Sequence, residues 1–135
     1  MKTAGDYAYE VRNVKPEWQG IVKKLLAYAE ERGLSRRSIK LGWSLDVNHK
    51  PLIHIEVFTR AVGVVPQLRY MQSWAEESII RELRHRLEAL FEVPHPQLPT
   101  ISLTRLGQHP EAFSQLCAAV DWLLEQIKTS RAPAP

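Results

Sequence analysis

Apolar and polar positions change period several times along this chain, and each change predicts an element. Tyr7, Tyr9 and Val11 alternate with small or polar residues, the period of two that a half-buried strand requires, so residues 7–12 read as a strand. After Pro16, suited to the first turn of a helix, Trp18, Ile21, Val22, Leu25, Leu26 and Ala29 recur at helical spacing, and Gly33 marks the end. From Ser38 the period returns to two: Ile39, Leu41, Trp43, Leu45 and Val47 alternate with Lys40, Gly42, Ser44 and Asp46. The polar run Asn48-His49-Lys50-Pro51 supplies a turn. Ile53, Ile55, Val57 and Thr59 then alternate with His54, Glu56 and Phe58 and complete a β-hairpin with one face inward.

An apolar connector, Ala61-Val62-Gly63-Val64-Val65-Pro66, leads into a long amphipathic helix reaching about Phe91, with Leu68, Met71, Ala75, Ile79, Leu83, Leu87 and Leu90 on one side. Pro94, Pro96 and Pro99 exclude a continuing helix and impose an extended loop. Ile101 and Leu103 then predict a short strand, and Pro110 opens a last helix whose stripe is Phe113, Leu116, Cys117, Val120, Leu123, Leu124 and Ile127. The order is β-α-β-β-α-β-α. This predicts an α+β fold with an antiparallel sheet, helices mainly on one face, a ferredoxin-like (split βαβ) arrangement and an added C-terminal helix. Residues 1–130 are expected to form one domain and 131–135 a flexible tail.

Composition agrees with a folded chain: at 135 residues, 44% apolar and 24% charged, it can bury a core without metals or disulfides. Cys117 is the only cysteine, so no intramolecular disulfide is available. Neither a signal peptide nor a run of about 20 apolar residues is present, and the expected location is cytoplasmic. The formal charge of +3 would favour a polyanion only if the excess were clustered.

Candidate chemistry is sparse. The five histidines show no HxH, HxxxH or HExxH spacing, and one cysteine cannot complete a zinc set, so no metal or other cofactor is expected. His54 and Glu56 share a strand face, where a carboxylate could orient an imidazole. Asp46 and Glu56 on adjacent strands have the flavour of a divalent-metal nuclease pair, but Phe58 stands where that chemistry needs a lysine. Phosphate loops, dinucleotide fingerprints and nucleophile elbows are missing, which removes any specific reason to propose an enzyme.

Two surfaces remain. Arg32, Arg36, Arg37 and Lys40 gather where the first helix meets the second strand, and they could contact phosphates, although cations at a helix C-terminus also complement its dipole. Val62, Val64 and Val65 in the connector, with Trp122 off the main stripe of the last helix, suggest a covered surface. The reading these favour is a non-catalytic protein-binding or assembly subunit, self-associating or held in a larger complex. The alternative is a nucleic-acid-binding or regulatory domain using the basic turn. The run from Ile53 to Phe58, followed by a loop and an amphipathic helix, resembles a segment of phage tail-terminator proteins. The C-terminal helix departs from that pattern, and the resemblance implies no site residue or activity.

Overall fold

The computed structural model describes residues 11, 14–57, 62–92 and 99–131. Helix α1, Pro16–Glu31, begins with proline in its first turn and buries Ile21, Val22, Leu25, Leu26 and Ala29, the apolar stripe of the sequence. Its end is a Schellman motif: Gly33 takes a left-handed φ of 73°. The Gly33 amide bonds the Glu30 carbonyl, the Leu34 amide bonds that of Ala29, and Leu34 is buried behind it.

The chain then forms β1 (Ser35–Ile39), β2 (Gly42–Val47), β3 (Lys50–Glu56) and β4 (Gly63–Pro66). Helices α2 (Leu68–Met71) and α3 (Glu77–Leu87), the latter running into a 3-10 turn, precede a short β5 (Ile101–Ser102). Helices α4 (Leu103–Gln108) and α5 (Pro110–Arg131) complete the described chain. The result is a mixed α+β fold with a five-stranded antiparallel sheet and helices mostly on one face. Trp43 pairs with Ile55, Ile55 with Val64, and Val64 with Ile101, so one apolar rung crosses four strands, and all four side chains are fully buried. The core cluster joins this face to the apolar stripes of α1, α3, α4 and α5.

Strand order is where the structure departs from the split βαβ expectation. The strands lie in chain order, β1-β2-β3-β4-β5, and every pair is antiparallel. Two misread segments explain this. The single strand expected from Ser38 turns back at Lys40 and Leu41, so Ile39 pairs with Gly42 and two strands exist. The valine connector is itself strand β4, laid on β3 with Ile55 opposite Val64. Of the first predicted strand, residues 7–12, only Val11 is described, and it is helical and buried. Residues 132–135 of the expected tail lie outside the described residues.

Three further boundaries differ. The long central helix is divided at residues 72–76, where the Met71 carbonyl receives the amides of both Trp74 and Ala75. Leu103, expected in a strand, instead opens α4, because Ser102 acts as its N-cap and its hydroxyl accepts from the Arg105 amide at 3.3 Å. The β2–β3 connection is a two-residue turn with positive φ at Asn48 and His49 and Val47 opposite Lys50, the geometry that matches the twist of a hairpin.

Candidate functional site

Alternation places Arg37 of β1, Ser44 and Asp46 of β2, and His54 and Glu56 of β3 on the sheet face away from Trp43 and Ile55. Arg37 stands opposite Ser44, and Ser44 opposite His54, so these polar residues form a continuous rung. Ser44 is fully buried and Asp46 nearly so. The Ser44 hydroxyl donates to Asp46 Oδ1 at 2.5 Å, and Arg37 Nε donates to Oδ2 at 3.0 Å. Arg37 Nη2 also reaches the Ser44 hydroxyl at 3.3 Å. A buried carboxylate therefore holds a guanidinium that remains half exposed, and the clasp fixes β1 to β2.

Beside it, His54 Nδ1 lies 3.8 Å from Glu56 Oε2, too long for a hydrogen bond. Burial, aided by the positive charge of Arg37 and opposed by Asp46, pushes the imidazole pKa down, while burial raises that of Glu56. Both shifts favour uncharged forms, and His54 Nε2 is buried without a hydrogen-bond partner. The shared face of His54 and Glu56 read from the sequence is thus present, whereas Asp46 and Glu56, on adjacent strands as expected, stand at opposite ends of the β2–β3 pair, Asp46 across from Pro51 and Glu56 across from Gly42. Among the described residues, no group of three or more His, Cys, Asp or Glu side chains is placed to hold a metal ion. Ser44 is fully buried with its hydroxyl donating to Asp46, so Arg37, Ser44 and Asp46 join β1 to β2.

The predicted partner residues are dispersed. Val64 and Val65 are buried in β4 and Val62 is half-buried, so the valines pack inside the fold instead of presenting a connector surface. Trp122 is half-buried on α5 and stacks under the Arg86 guanidinium, whose central carbon lies 4.5 Å from the ring.

The basic turn is divided as well. Arg32 makes two hydrogen bonds to Asp121, from Nε at 2.7 Å and Nη2 at 3.2 Å, and Tyr28 donates its hydroxyl to the same carboxylate. The Arg32 guanidinium, with help from the Tyr28 hydroxyl, holds the Asp121 pKa below its ordinary range. Burial and the neighbouring Asp121 push the Tyr28 phenol strongly upward. Arg36 and Arg37 point to opposite faces of β1 by strand alternation, and Lys40 is exposed in the turn. The four residues do not share one surface. Cys117 is half-buried on α5, and burial pushes its thiol up to about 11, which leaves little thiolate.

What the cluster does position is a sheet edge. Among the described residues β1 has a strand neighbour on one side only, and Ser35, Arg36 and Arg37 are exposed. Sequence reasoning missed both the clasp and the edge, because polar residues alternating with Trp43 and Leu45 read equally as a solvated face. No family model, curated protein or solved structure matches the chain. No helix among the described residues is long and apolar enough to cross a membrane.

Proposed function

We propose that this chain is a protein-binding subunit that takes up an extended, acidic segment of a partner along the β1 edge. The observation that carries this reading is strand β1, exposed at Ser35, Arg36 and Arg37, which among the described residues has a strand neighbour on one side only and is fastened to it by the Arg37–Asp46 clasp. Such an edge offers main-chain donors and acceptors to an incoming strand, and its side chains select among partners. A strand that is already held loses little further entropy on binding.

Charge chooses the partner. A second copy pairing antiparallel on β1 with the arginines in register would set Arg36 of one copy opposite Arg37 of the other, and like charges across strands are destabilising. An acidic segment meets Arg36 and Lys40 favourably while Arg37 stays in its clasp with Asp46. Nucleic acid gains less support, since Arg32 is committed to Asp121 and the other cations do not share a face.

Fluorescence anisotropy with a labelled extended peptide alternating Glu and Val, against a Lys and Val counterpart, tests the reading. The acidic peptide is expected to bind, to weaken with added salt, and to weaken further in Arg36→Glu and Lys40→Glu. Equal binding of both peptides, or none, contradicts it. Displacement of the acidic peptide by a short DNA strand at comparable concentration would favour a general polyanion site instead.

A further inference from the structure

Where the β2–β3 turn, the segment between α2 and α3, and the C-terminal half of α5 meet, they enclose a cleft of about 500 Å³. Its lining includes no residue of β1, and its volume is within the size range of small-molecule sites. Val47, Trp74, Ile79 and Ile127 line its walls, while Lys50 and Glu76, both exposed, line it alongside them. The Lys50 ammonium lies 5.5 Å from the centre of the Trp74 ring, so one charge is placed against an apolar wall. Among the described residues neither Lys50 nor Glu76 belongs to an ion pair, whereas Glu77 and Glu82 on the adjoining α3 both do.

An apolar cleft bearing one uncommitted charge of each sign discriminates by charge pattern. A simple carboxylic acid would satisfy Lys50 but face Glu76, and a simple amine would satisfy Glu76 but face Lys50. A molecule carrying both an ammonium and a carboxylate on one end and a hydrocarbon on the other satisfies both and fills the walls. We propose that this cleft binds a free amino acid with a large apolar side chain, its carboxylate toward Lys50, its ammonium toward Glu76 and its side chain against Trp74, Ile79 and Ile127.

Isothermal titration calorimetry with L-phenylalanine tests the assignment. The controls are 3-phenylpropionate, which lacks the ammonium, and phenethylamine, which lacks the carboxylate. Phenylalanine is expected to bind at one site, with each control weaker by about tenfold, the scale of one lost charge-assisted hydrogen bond. Lys50→Met should erase the preference over phenethylamine, and Glu76→Gln the preference over 3-phenylpropionate. Both positions are exposed, and circular dichroism checks that each variant is folded. No heat with millimolar phenylalanine overturns the proposal. So do controls that bind as tightly as phenylalanine, or folded variants that keep the native preferences.

Discussion

Replacing Asp46 with alanine tests the clasp that holds β1, and its cost can be built from the contacts. The Asp46 side chain is 8% exposed and accepts from Ser44 and Arg37, while the Arg37 side chain is 52% exposed. Ser44 is fully buried, so its hydroxyl loses its acceptor in an environment without ready replacement by water, a loss of about 1–3 kcal/mol. Arg37 turns into solvent, and screening limits that part to about 1 kcal/mol. Asp46→Ala should therefore destabilise the fold by about 2–4 kcal/mol in a urea titration. The double variant Ser44→Ala/Asp46→Ala should be more stable than the sum of the single changes, since it removes the orphaned hydroxyl with its acceptor. A cost within about 0.5 kcal/mol of zero, the scale of an ordinary surface change, or strict additivity in the cycle, would refute the reasoning.

Trp43→Ala should cost about 3–5 kcal/mol and Ile55→Ala about 2–5 kcal/mol by the same titration, because both side chains are fully buried in the central rung, whereas exposed Lys40→Ala should be mild. Gly42→Ala should abolish or severely weaken folding seen by circular dichroism, since an added Cβ would sit 1.9 Å from the Ile55 carbonyl oxygen. His54, held below its ordinary value of 6.5, binds its proton more weakly in the fold than in the unfolded chain, so its contribution to stability is complete above that value and falls as pH drops beneath it. Glu56, raised above its ordinary 4.5, acts in the opposite sense, its contribution falling as pH rises through the shifted value. Denaturant midpoints across pH 4–8 should show His54→Gln removing the first slope and Glu56→Gln the second.

The legible parts of the fold were those where one face is apolar and the other is not. Residues of α1 and the Trp43, Leu45, Ile53 and Ile55 face of the hairpin follow their periodicity closely. Period alone could not separate β1 from β2, because Ile39, Leu41 and Trp43 continue the alternation straight through the turn. Nor could it find β4: a four-residue strand bounded by Gly63 and Pro66 carries the composition of a loop, and its identity comes from pairing with β3 and β5. The break after Met71 has no glycine or proline to announce it. At the candidate site, the shared face of His54 and Glu56 was readable, whereas the burial of Ser44 and Asp46 depends on contacts that alternate polar residues do not disclose. Trp122 illustrates the converse: its position off the stripe was readable, but the Arg86 guanidinium stacked on its ring depends on how α3 meets α5.

Amide hydrogen exchange of β1, followed with and without a saturating acidic peptide, tests the proposed binding mode most directly. In an edge strand, alternate amides point to the neighbouring strand and exchange slowly, while those between them face outward. Strand addition predicts that the outward amides of residues 35–39 become protected on peptide binding, with the inward set little changed. Peptide binding that leaves the outward β1 amides exchanging at their free rates would contradict it, and would place the partner elsewhere on the molecule.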